Sequence, residues 1–91
     1  MLYIGICDDD EGVCAELERM LYDYAEQNKI QMDIDIWHRG ESLCRFLREK
    51  EQISDVLFLD IELLTTNGIE VGRFIREEQE NMETAIVYIS A

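Results

Sequence analysis

An open, parallel α/β sheet is the fold this sequence predicts, and three observations predict it. Leu2–Cys7, Val56–Leu59 and Thr84–Ile89 are short, nearly unbroken apolar runs, as expected of strands covered on both faces. Segments with apolar residues at three- and four-residue spacing separate them, so the elements alternate as β-α-β-α-β-α-β. Two of the runs stop in carboxylates, Asp8-Asp9-Asp10-Glu11 and Asp60. In an open α/β sheet the carboxyl ends of strands emerge into a crevice, the natural place for such groups. Strands joined by helical crossovers imply parallel pairing with right-handed connections.

The elements follow in order. After Leu2–Cys7, Asp8 to Asp10 supply a loop and a helix cap, with Glu11 suited to the positive end of the helix dipole. Val13, Leu17, Met20, Leu21, Tyr24 and Ala25 then define the apolar face of a helix to about Asn28, with the Met and aromatic positions in the core. Met32–Trp37 alternates apolar and polar residues, the pattern of an edge strand with one drier face. His38-Arg39-Gly40 turns the chain, and Ser42 caps a short helix through about Lys50 with Leu43, Phe46 and Leu47 inward. Thr65-Thr66-Asn67-Gly68 is a turn after the strand that ends at Asp60. Ile69, Val71, Gly72, Phe74 and Ile75 define a further helix to about Glu80, and the last strand closes on Ser90 and Ala91.

At 91 residues the chain is one domain, residues 1–91, without internal repeats or low-complexity linkers. Its 8 Lys and Arg against 21 Asp and Glu give a net charge of −13. That balance argues against nucleic-acid binding by this domain, which needs clustered cations, and against anionic membranes. No apolar stretch approaches a membrane span, and no basic segment precedes the first strand, so a cytoplasmic location is expected. Cys7, Cys14 and Cys44 form no C-x-x-C pair and are read as reduced structural thiols. His38 is the only histidine, which excludes a His-based metal site or a Ser-His triad and leaves it a structural or exposed residue.

Asp8, Asp9 and Asp60 are the candidate chemistry. If the first strand and the one ending at Asp60 are parallel neighbours, their terminal carboxylates stand side by side. Clustered acids raise each other's pKa, and the arrangement is costly unless a cation sits among them. Oxygen-only ligands with water completing the shell suit Mg2+.

With those strand ends in hand, the whole chain resembles a response-regulator receiver domain of two-component signalling. The resemblance rests on Ile6-Cys7-Asp8-Asp9-Asp10-Glu11, on Leu57-Phe58-Leu59-Asp60-Ile61-Glu62-Leu63, on Gly68 and the helix Gly68–Arg76, and on Ser90-Ala91. The Cys-Asp-Asp and Phe-Leu-Asp-Ile-Glu runs look most like receivers attached to LytTR-type DNA-binding domains, as in AgrA-like regulators. The resemblance implies a flavodoxin-like (CheY-like), doubly wound sheet in the order 2-1-3-4. It implies Asp60 as the phosphoacceptor for a sensor histidine kinase, Mg2+ held by Asp8, Asp9, Asp60 and the backbone carbonyl of Glu62, and Ser90 as the switch hydroxyl. A phosphoacceptor rather than an enzyme is expected, with at most weak self-phosphorylation or dephosphorylation.

Two departures stand out. Leu64 occupies the position where the family usually has proline, and the chain contains no proline. The family continues through another helix, a fifth strand ending in a lysine and a last helix, so the expectation is a receiver lacking its final α-β-α segment and its output domain. The apolar strand Ala85–Ile89 is then an exposed sheet edge, for which self-association or a partner chain is expected. Two rivals remain. Asp8-x-Asp10 also resembles the nucleophile motif of haloacid-dehalogenase-like phosphatases, with Asp8 as nucleophile, although Gly12 departs from it. A non-phosphorylated pseudo-receiver, an interaction module only, is the other.

Overall fold

The computed structural model describes residues 1–49 and 54–90, and it is a four-stranded parallel sheet with helices on both faces. The elements are β1 (Leu2–Cys7), α1 (Glu11–Gln27), β2 (Met32–Trp37), α2 (Gly40–Glu49), β3 (Val56–Asp60), α3 (Gly68–Glu77) and β4 (Ala85–Ile89). Their spatial order is β2-β1-β3-β4, the expected one. Lys50 and Ala91, named above as the end of the second helix and the residue behind Ser90, lie outside the described residues.

The apolar runs build the sheet because their side chains divide between two cores. Ile4 and Ile6 of β1 and Ile34 of β2 pack with Cys14 under α1. Cys7, Leu57 and Leu59 project to the other face, against Leu43 of α2 and Val71 and Ile75 of α3. Ile6, Cys7 and Leu59 have no exposure at all, which fixes the register of the two central strands. That register pairs Cys7 with Leu59, so Asp8 and Asp60 emerge one residue later, side by side. It also puts them at the point where the chain leaves β1 for β2 on one side and β3 on the other, the crevice where open α/β sheets bind ligands.

Three local expectations need correction. In α1 the buried residues are Cys14 and Ala25, with Leu17 and Leu21 packed partly against the sheet. Val13, Met20 and Tyr24, expected in the core, are 39%, 54% and 56% exposed. Leu17, Leu21 and Ala25 of the expected face do turn inward, and Cys14 completes the buried stripe 14-17-21-25, because a buried thiol packs as a small apolar group. Ser42 does not cap α2. The helix begins at Gly40, and its first turn closes from Leu43 N–H to Arg39 O at 3.3 Å. The helix expected to reach about Glu80 ends at Glu77, since Glu80 adopts a left-handed φ of 51° that no α-helix accommodates.

β4 is an edge strand, as is β2. Val87 and Tyr88 of β4 are 41% and 42% exposed. No helix among the described residues is long and apolar enough to cross a membrane.

Candidate functional site

Three adjacent aspartates follow β1, and the backbone path gives each a different task. Asp10 is the N-cap of α1: its backbone is extended, and Oδ1 accepts from Gly12 N–H at 2.9 Å and Val13 N–H at 3.2 Å. This consumes the carboxylate in helix capping. Asp8 is buried, and its Oδ1 accepts the Asp10 N–H at 2.9 Å. Asp9 stands between them, half-buried.

Asp60 completes the cluster from the end of β3. It is only 8% exposed, and its Oδ1 accepts the Glu62 N–H at 3.1 Å. One carboxylate oxygen from each of Asp8, Asp9 and Asp60 lies within 4.8 Å of the others. With Asp10, Val13 and Glu62 they line an open cleft of about 220 Å³. Burial pushes the Asp60 carboxyl above its ordinary value; the Glu62 N–H opposes this, while the charges of Asp8 and Asp9 add to it.

The turn after β3 is fastened tightly to this cleft. Gly68 N–H donates to Ile61 O at 2.7 Å, and Asn67 caps α3 by accepting the Ile69 N–H at 2.7 Å. A side chain on Gly68 would meet backbone, its Cβ lying 2.0 Å from the Asp60 carbonyl oxygen and 2.9 Å from the Ile61 Cα. Thr65 Oγ1 donates to Glu41 of α2, tying the same turn to the neighbouring helix.

The cluster fits a hard divalent cation. Its donors are carboxylate oxygens, and among the described residues the ion pairs are Arg19–Asp23 and Arg48–Glu78, so no arginine or lysine neutralises it. Asp8, Asp9 and Asp60 would hold the ion, and Glu62 lines the same cleft. Ser90 follows Ile89, the residue paired with Asp60, and Ile61 N–H donates to Ile89 O at 3.0 Å. The hydroxyl residue thus stands at the same end of the sheet, exposed, but is not among the residues lining the acidic cleft.

No protein-family model matches this chain, and neither does any curated protein. Solved structures do. The response regulator TrrA from Thermotoga maritima, in complex with Mg2+ and BeF, is 24% identical at a TM-score of 0.80, over 100% of this chain and 70% of that one. The fold is that of a response-regulator receiver domain. A CheY-like receiver domain protein from Methanospirillum hungatei is 24% identical at a TM-score of 0.75, over 94% of this chain and 62% of the other. The response regulator DrrB from Thermotoga maritima, an OmpR/PhoB homologue, is 22% identical at a TM-score of 0.73, over 99% of this chain and 36% of its own. The chain thus spans about a third of DrrB and under two thirds of the Methanospirillum receiver.

Sequence reasoning brought Asp8, Asp9 and Asp60 together correctly on the receiver fold. It missed two supports. The contact of Gly68 with the Asp60 backbone was disguised as an ordinary Asn-Gly turn. His38 follows β2 as Asp8 follows β1, and its ring Nδ1 is 3.1 Å from the Asp8 carbonyl oxygen. No feature of the sequence marks this contact, which follows from the in-register pairing of Cys7 with Trp37.

Proposed function

We propose that this chain is the phosphoacceptor receiver of a two-component response regulator, with Asp60 accepting a phosphoryl group from a sensor histidine kinase. The observation that carries the reading is the meeting of three carboxylates, unpaired with any cation among the described residues, at the carboxyl end of β1 and β3 on a receiver fold. Asp60 attacks phosphorus through a carboxylate oxygen, the N–P bond of the kinase's phosphohistidine breaks, and the imidazole leaves with the electron pair. The product is an acyl phosphate on Asp60. The Glu62 N–H holds Asp60 Oδ1, which presents Oδ2 as the attacking atom. Mg2+, when held by Asp8, Asp9, Asp60 and the Glu62 carbonyl, would supply positive charge against the transferring group. Ser90 accepts the role of switch hydroxyl, turning toward the new dianion and biasing the β4 end between two states.

The wider reading is a cytoplasmic transcriptional regulator whose LytTR-type output domain lies outside this chain. The exposed β4 edge supports self-association or pairing with a partner.

Incubation with acetyl phosphate and Mg2+, followed by intact-mass analysis, tests the assignment. One phosphoryl adduct is expected on the wild type and on Ser90→Ala, and none on Asp60→Asn. An adduct that survives Asp60→Asn but disappears in Asp8→Asn would refute it in favour of the phosphatase-like nucleophile.

A further inference from the structure

Asp8 is held by more than its own strand. Its N–H donates to Trp37 O at 3.0 Å, extending the β1–β2 ladder by one residue. Its carbonyl oxygen receives two side chains from two other elements. Cys14 Sγ reaches it from α1 at 3.4 Å, and His38 Nδ1 reaches it from the turn after β2 at 3.1 Å. A carbonyl oxygen can only accept, so this bond requires a proton on Nδ1. Nδ1 and Sγ are themselves 3.8 Å apart, so the donors form one compact group on that oxygen. Cys14 is buried, and its Sγ is placed to donate to that oxygen.

We propose that His38 is a positioning residue for the acidic cleft: its Nδ1–H, together with the Cys14 thiol, locks the Asp8 main chain so that the Asp8 carboxylate stays beside Asp60. The proposal rests on the metal-binding reading given above. Among the described residues His38 makes no hydrogen bond or ion pair to Asp9 or Asp60, and it acts through the backbone of Asp8. Outer hydrogen bonds of this kind orient ligands, and their loss costs about 10–100-fold in metal affinity. The bland account is that the bond merely closes a surface turn, in which case it contributes to stability and not to the cleft.

Three variants separate the accounts: His38→Ala, His38→Asn and His38→Gln. The Asn amide N–H takes roughly the place of Nδ1, and the Gln amide the place of Nε2, so only Asn restores the bond. The measurements are Mg2+ affinity by calorimetry, the urea midpoint, and the imidazole nitrogen shifts of the metal-free wild type. The expected results are an Nδ1–H tautomer in the wild type, and about tenfold weaker Mg2+ binding in the Ala and Gln variants. The Asn variant keeps affinity near wild type, and the urea midpoints do not follow the affinities. An Nε2–H tautomer, wild-type affinity in His38→Ala, or affinity in His38→Asn as weak as in His38→Ala would each overturn the proposal. A wild type that shows the Nδ1–H tautomer but binds no Mg2+ overturns the metal reading itself, and the role of His38 with it.

Discussion

Replacing Gly68 by alanine sets two effects of opposite sign against each other, and the geometry decides between them. Alanine in place of glycine normally favours a helix by about 0.5–1 kcal/mol, and Gly68 is the first residue of α3 with no left-handed φ to protect. The added Cβ, however, would lie 2.0 Å from the Asp60 carbonyl oxygen and 2.8 Å from its carbonyl carbon. Ordinary carbon–oxygen contacts begin near 3.3 Å, so the turn must retreat by about 1 Å. Backbone cannot rotate aside as a side chain can. The retreat breaks the 2.7 Å bond from Gly68 N–H to Ile61 O, a loss of about 0.5–1.5 kcal/mol, and overpacking adds about 1–3 kcal/mol. The net is a destabilisation of about 0.5–4 kcal/mol, with a displaced Asp60 and weaker Mg2+ binding. Urea unfolding with and without Mg2+ measures both. Gly12→Ala is the control: its Cβ would meet only the Asp10 side chain at 3.2 Å, and it should be neutral or mildly stabilising. A Gly68→Ala chain as stable as Gly12→Ala, with unchanged Mg2+ affinity, would refute the close-approach argument.

Other outcomes follow from the same geometry. The Asp60 carboxyl is raised in the folded state, so its contribution to stability is fully present below its unfolded value of 3.8 and is lost as pH rises through the folded one. Metal-free chain should therefore lose stability across that window relative to Asp60→Asn, and saturating Mg2+ should remove the difference; urea midpoints against pH read this directly. Cys7 is pushed from 9.0 up to about 12, chiefly by burial, so stability should fall as pH rises above about 9, and thiol reagents should leave Cys7 untouched at neutral pH in the native chain. Asp10→Ala removes the α1 cap and should cost about 1 kcal/mol while leaving Mg2+ affinity near wild type, because that carboxylate is engaged by Gly12 and Val13. A large loss of Mg2+ affinity in Asp10→Ala would place Asp10 in the metal site instead.

Much of the fold was legible because burial on both faces leaves an unmistakable mark. The runs in β1 and β3 are apolar at every position from Ile4 to Cys7, glycine apart, and from Val56 to Leu59, so strand type and parallel pairing follow together. The face of α1 was legible in part: Leu17, Leu21 and Ala25 do turn inward, but Val13, Met20 and Tyr24 are as apolar by type as the residues that bury, and Cys14 was left out. Only packing against Ile4, Ile6 and Ile34 chooses among them. The end of α3 was misread because nothing in Glu78, Gln79 or Glu80 forbids a helix; the backbone turns at Glu80 so that Asn81 can accept from Arg76 and bond Thr84. At the site, strand ends located Asp8, Asp9 and Asp60. Which aspartate of three caps the helix, and that His38 holds the Asp8 carbonyl, depend on backbone directions that composition does not encode.

The central claim is that Asp8, Asp9 and Asp60 form one metal-dependent phosphoacceptor cleft. An NMR titration of the chain with Mg2+, followed by beryllofluoride, tests it most directly. The account predicts Mg2+-dependent shifts at the amides of Asp8, Asp9, Asp60 and Glu62, absent in Asp60→Asn, and further shifts reaching Ser90 when the acyl-phosphate mimic is added. A folded chain whose spectrum is unchanged by both additions, or whose shifts fall away from the ends of β1 and β3, would contradict it.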